Sequence, residues 1–146
     1  MSIDAIHIDS RLEETAAAAT EIARRCQALG VGDDTLMMIE LSVVEALNNA
    51  VEHAYKGEPG HDVWVECHLE GDQLVIEVSN QGEPLAAETL ATHTGDFKDP
   101  DPDDPSTWED SGRGLQIILN TMDAVSVCDH DGANCLRMVK RLPKTA

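Results

Sequence analysis

Between residues 43 and 55, in the run VVEALNNAVEHAY, Glu45, Asn49 and His53 recur at every fourth position of an otherwise apolar stretch. At roughly 100° per residue of α-helix, Leu36, Val43, Leu47, Ala50 and Ala54 fall on one side, with Glu45, Asn49 and Glu52 nearly opposite. A carboxylate and a neutral amide one turn apart suit a magnesium nucleotide, because the phosphates bring their own negative charge and Mg²⁺ keeps several of its waters. In that chemistry Asn49 holds the metal directly or through water, and Glu45 stays free as a base. Alone, the stripe equally describes solvated positions on a surface helix. A second signal tips the reading: Ser111-Gly112-Arg113-Gly114-Leu115 is a glycine-rich turn opening another apolar helix, the arrangement that presents backbone N–H groups to phosphates. Arg113 is the nearest fixed positive charge. Together the two signals point to a nucleotide site.

The elements that must position these residues follow from periodicity and punctuation. Residues 5–9 alternate weakly as a strand, and Ser10 is placed to cap an alanine-rich helix over about residues 11–29, closed by Gly30 and Gly32. A second helix begins after Asp33-Asp34 and runs to about Tyr55, stopped by Lys56-Gly57-Glu58-Pro59-Gly60. The period then becomes two. Val63, Val65, Cys67 and Leu69 alternate with polar neighbours, and after Gly71-Asp72 the pattern returns as Leu74, Ile76 and Val78. From about Gln81 to Ser111 no period survives, and the stretch from Asp99 to Pro105 is too acidic and proline-rich to pack as a regular element. A connection this long in a small domain is functional or disordered. Residues 115–122 predict a helix begun by the glycine turn, and residues 124–129 and 133–141 a closing hairpin. A two-residue turn at Asp131-Gly132 would set Val127 against Leu136, and Cys128 against Cys135 on the other side. The order β-α-α-β-β-loop-α-β-β segregates helices from hairpins, which makes an α+β sandwich with helices on one face of the sheet. It excludes a Rossmann unit, and no G-K-[ST] follows Gly114 to make a P-loop.

Bulk composition narrows the partners. The 146 residues, 42% hydrophobic, fit one domain over residues 1–146 with one core. A formal charge of −18, with only 10 Lys and Arg, argues against nucleic acid and against acidic membranes. The opening MSIDAIHIDS lacks a basic then apolar leader, and no run is long enough to span a bilayer, so a cytoplasmic protein is expected. Cys26, Cys67, Cys128 and Cys135 form no C-x-x-C pair, which predicts reduced thiols and no zinc knuckle.

The Glu45/Asn49/His53 stripe resembles the N-box of the GHKL, or Bergerat-fold, ATP-binding domains, and Ser79-Asn80-Gln81-Gly82 stands where a first glycine box falls. Gly112-Arg113-Gly114-Leu115 resembles the second glycine box. The short length, the AVEHAY ending of the N-box and the closing hairpin are most similar to anti-sigma-factor serine kinases of bacterial partner-switching systems. The resemblance implies a two-layer α/β sandwich with a mixed, mostly antiparallel sheet. It implies a protein that binds Mg-ATP, phosphorylates a serine of a STAS-domain anti-sigma-factor antagonist, often sequesters a sigma factor, and is often a homodimer. Residue by residue, Glu45 corresponds to the general base and Asn49 to the magnesium ligand, with His53 a turn further on. Asn80 and Gly82 would meet the adenine, and Gly112, Arg113, Gly114 and Leu115 the triphosphate, under a lid over about residues 92–111. The family usually has aspartate where Asn80 stands, so base recognition is the point of departure. Two other readings stay open: a nucleotide-binding switch module without chemistry, and a sensor histidine kinase fragment, although no dimerisation helix pair with an exposed phospho-accepting histidine precedes the domain.

Overall fold

The computed structural model describes residues 5–83, 110–130 and 132–142, with the side chains of 110–115 and 130 excepted. Strand β1 (Ile6–Asp9) leads into helices α1 (Leu12–Ala28) and α2 (Asp33–Asn49), the latter continued by a π-helical turn over Ala50–Ala54. Strands β2 (Asp62–Glu70) and β3 (Gln73–Asn80) follow, then helix α3 (Asp110–Thr121) and strands β4 (Ala124–His130) and β5 (Ala133–Arg141). The strands form one sheet in the order β1-β2-β3-β5-β4. All four pairings are antiparallel, so the parallel component of the expected mixed sheet is not among the described strands. Helices cover one face, giving the two-layer α/β sandwich.

Each helix carries the stripe that its layer requires. On α1, Thr15, Ala18, Ala19, Ile22 and Cys26 are buried, a one-sided spacing whose small residues let α2 approach closely. Glu13 and Glu14 in its first turn and Arg25 in its last complement the helix dipole. At its end Gly30, with φ +100°, donates to the Gln27 carbonyl at 3.0 Å while Val31 N–H reaches Cys26 O at 3.2 Å, a left-handed stop that glycine adopts without penalty. Ser10, expected as the N-cap, does something else. The cap position is Arg11, without a side-chain cap bond, and Ser10 Oγ donates to Glu58 O at 2.6 Å and accepts from His61 N–H at 3.0 Å, fastening β1 to the entry of β2.

The sheet's core side follows the predicted alternation: Val63, Val65 and Cys67 of β2, Leu74, Ile76 and Val78 of β3, and Leu136 and Met138 of β5 are buried in the common core. A buried Val, Leu or Ile contributes about 1.5–3 kcal/mol against exposure, so this face holds the layers together. Cys26 and Cys67 meet across it, sulfurs 3.6 Å apart; that hydrogen bond and burial push the Cys26 thiol up. The closing hairpin has the predicted register, Val127 opposite Leu136 and Cys128 opposite Cys135, turned at Gly132 with φ +87°. Contrary to the expectation of reduced thiols throughout, Cys128 and Cys135 are joined as a disulfide, Cα atoms 4.8 Å apart.

Candidate functional site

The polar stripe of α2 ends in an irregularity that shapes the site. Beyond Asn49 the helix widens into the π turn, where Tyr55 N–H reaches Ala50 O at 3.2 Å, a five-residue step, in place of the α-helical four. Such turns occur mostly at functional positions. A wider turn takes more residues, so it reverses the drift that four-residue spacing accumulates in an α-helix. Asn49 and His53 consequently open onto the same cavity, of about 620 Å³, between the helix and the sheet. That volume is in the range of small-molecule pockets, about 300–1,000 Å³.

The sheet side of the cavity is a hydrogen-bonded knot at the ends of β3 and β5. Asn80 Oδ1 accepts from Gly82 N–H at 2.9 Å and from Asn134 Nδ2 at 3.2 Å, and Asn134 Nδ2 also donates to Gly82 O at 2.7 Å. Gly82 is there for closeness: a Cβ on it would lie 2.3 Å from Ala54 O and 2.9 Å from the Tyr55 ring. The close approach it permits is to the end of the π turn, whereas the expectation was approach to a base. Glu83 N–H donates to that Ala54 carbonyl at 2.8 Å. Tyr55, 8% exposed, completes the clamp: its hydroxyl donates to Asp62 O at 2.6 Å and accepts from Gln81 N–H at 2.7 Å. Burial raises its phenol above the ordinary range, so it stays a neutral donor. Helix end and strand end are thus tied by hydrogen bonds around a cavity that both Asn49 and Asn80 line.

The remaining predicted residues fall into place unequally. Glu45 is partly buried one turn before Asn49 and is not among the described residues lining the cavity. Gly112, Arg113, Gly114 and Leu115 lie inside α3, not in a turn before it. Asp110 and Ser111, types favoured where helices begin, start the helix earlier than residue 115, and Gly112 costs little in a first turn whose N–H groups have no intrahelical acceptor. The N–H groups of that turn therefore still project from the helix start, and α3 packs against α2. The predicted lid, residues 92–111, lies outside the described residues except for its last two. Three contributors escaped the sequence reading: Asn134, Tyr55 as a clamp, and Lys56, which is in the left-handed region with φ 53° and is the permanent cation among the described lining residues, beside Glu52 and Glu83. Asn49 and Glu52 offer hard oxygen donors to the cavity, the donor type that magnesium takes.

Comparison with known proteins agrees with this geometry. The histidine kinase-like ATPase domain family matches residues 8–140. An anti-sigma F factor from Oceanobacillus iheyensis is 31% identical over 139 residues, spanning 91% of this chain and 88% of its own length. A serine-protein kinase RsbW from Staphylococcus epidermidis is 31% identical over 116 residues, 79% of this chain and 71% of its own. Among solved structures, the RsbU and RsbW domains of a Mycobacterium tuberculosis protein align with a TM-score of 0.63 at 17% identity, over 99% of this chain and 34% of that one. A chain of the SiaB-SiaC complex from Pseudomonas aeruginosa aligns at 0.55 and 17%, over 92% and 88%; both show a shared fold. No helix among the described residues is long and apolar enough to cross a membrane. Glycine-bearing helix, Glu45/Asn49/His53 stripe and sheet-end asparagines lie on a scaffold matched nearly end to end, and the chain belongs to the histidine kinase-like ATPase domain family, alongside anti-sigma factors and serine-protein kinases.

Proposed function

We propose that the chain is a serine-protein kinase and anti-sigma factor of a bacterial partner-switching system, acting in the cytoplasm as one domain. It binds a magnesium nucleoside triphosphate, ATP in the family's general pattern, and phosphorylates a serine of a STAS-domain antagonist. The observation that carries the reading is that Asn49 and Asn80, from elements distant in sequence, share one cavity, and that α2 packs against the helix that carries Gly112 and Gly114.

The base lies at the Asn80 end and the triphosphate runs toward α3, where the N–H groups of its first turn and Arg113 meet the phosphates. Asn49, with Glu52 beside it, holds the magnesium, which neutralises charge on the phosphate oxygens when bound. Glu45 accepts the proton of the partner's serine hydroxyl as its oxygen bonds to the γ-phosphorus and the bond from phosphorus to the leaving diphosphate breaks. Catalysis of this kind is largely positioning and charge stabilisation, which the fastened ends of the π turn and β3 supply. The lid expected over residues 92–111 would close over the nucleotide. The chain works as a homodimer and sequesters a sigma factor when the antagonist is not bound.

The test is incubation of the chain with γ-labelled Mg-nucleotide and each STAS-domain protein of its own organism. The kinase reading predicts labelled phosphoserine on one of them. Nucleotide bound at saturation with no phosphoserine on any of them would leave a switch module that exchanges partners without chemistry.

A further inference from the structure

We propose that Asn80 makes the base end of the cavity select a 6-oxopurine nucleotide, with guanine or hypoxanthine, over adenine; this rests on the nucleotide reading above and names its base. The orientation of the Asn80 amide is decided by chemistry. A backbone N–H can only donate, so the Asn80 atom 2.9 Å from Gly82 N is the oxygen. The Asn134 amide is fixed in the same way, since its nitrogen stands 2.7 Å from the Gly82 carbonyl, which can only accept. That nitrogen also donates to Asn80 Oδ1 at 3.2 Å. A carbonyl oxygen has two lone pairs, and here both are taken by protein donors.

What Asn80 has left is Nδ2. Among the described residues it has no hydrogen-bond partner, and Asn80 lines the cavity. The site therefore presents N–H donors and asks for an acceptor. At position 6 of the purine ring adenine carries an amino group, a donor, whereas guanine and hypoxanthine carry a carbonyl oxygen, an acceptor. Adenine set with position 6 against Asn80 opposes donor to donor and must shift to offer a ring nitrogen instead, whereas a 6-oxopurine pairs directly through its position-6 oxygen. A carboxylate at position 80 would satisfy Gly82 and Asn134 with one oxygen and turn the other toward the ligand as an acceptor. The exchange of one oxygen for one nitrogen thus inverts the selection without disturbing the knot that holds the residue.

Calorimetric titration of the full chain and of Asn80→Asp with Mg-ITP, Mg-GTP and Mg-ATP tests this, because ITP and ATP differ only at the edge in question. The chain should bind Mg-ITP and Mg-GTP about tenfold more tightly than Mg-ATP, the scale of one hydrogen bond made against one left unpaired, and Asn80→Asp should reverse the order. Preference of the unaltered chain for Mg-ATP, or an ITP-to-ATP ratio that the substitution does not move, overturns the assignment while leaving the nucleotide reading intact. Failure of both proteins to bind any of the three overturns the nucleotide reading and this assignment with it. Circular dichroism establishes that Asn80→Asp is folded; were it not, the ratio measured on the unaltered chain decides.

Discussion

The two regions that the proposed function joins are built on different principles. At the ends of β3 and the π turn, side chains and backbone pair with one another: Asn80 with Gly82 and Asn134, Tyr55 with Asp62 and Gln81, and Glu83 with Ala54. At the start of α3, the helix's own hydrogen-bond ladder leaves N–H groups over. On α2 and α3, which pack together, two buried atoms, Ser42 Oγ and Gln116 Nε2, have no partner among the described residues. The first end is preorganised, so its chemistry is selective by exclusion. In the proposed function, the start of α3 offers its donors to any phosphate chain and contributes affinity with little choice of base.

That contrast orders the expected effects. The largest belongs to the residue at neither end: Glu45→Gln should lower phosphotransfer by about 10²–10⁴-fold, the usual worth of a general base, with nucleotide affinity kept. Asn49→Ala should instead weaken Mg-nucleotide binding, read by calorimetry with and without magnesium. Equal affinity in both variants, or intact transfer in Glu45→Gln, would break the division of roles.

Next in size is Gly82→Ala. Its methyl group would sit 2.3 Å from the Ala54 carbonyl oxygen, and relief requires backbone movement costing about 1–3 kcal/mol, visible as a lower urea midpoint together with weaker nucleotide binding. An unchanged midpoint would mean that the clamp is not rigid. Asn134→Ala should cost about 1 kcal/mol and weaken nucleoside and triphosphate by the same factor, while Arg113→Ala should weaken the triphosphate alone. If both variants lost the triphosphate selectively, the two ends would not be distinct.

The smallest effect lies outside the cavity and serves as a control. Arg24, and then Arg25, hydrogen-bond Glu21 and hold its exposed carboxyl down to about 2, against 4.5 unperturbed. A carboxyl depressed in the folded state contributes stability above its unfolded value, and that contribution is lost as pH falls through the folded one. Glu21→Gln should therefore flatten the acid limb of the stability curve between about 4.5 and 2, slightly, since the pair is solvent-screened, and should leave nucleotide affinity unchanged.

What the sequence made legible is what is local. The Glu45/Asn49/His53 period, the alternation from Val63 to Val78 and the two-residue turn that sets Cys128 against Cys135 each depend on neighbours within one element or hairpin. Asn134 was invisible for the opposite reason: β5 lies between β3 and β4, so Asn80 meets Asn134 through a pairing that no local pattern encodes. Ser10 has the composition of a cap, but a tertiary acceptor, the Glu58 carbonyl, outcompetes the helix end. The glycines at 112 and 114 read as a turn because propensity sees their flexibility and not the earlier start that Asp110 and Ser111 give the helix. The π turn leaves no compositional trace.

The most direct trial of the account is a nuclear magnetic resonance titration of the labelled chain with Mg-nucleotide, following both ends at once. Shifts at saturation in the side-chain amides of Asn80 and Asn134 together with the backbone amides of Gly112 and Gly114 are the predicted result. A saturating ligand that moves one set and leaves the other in place, or that moves neither, would contradict a nucleotide spanning this cavity.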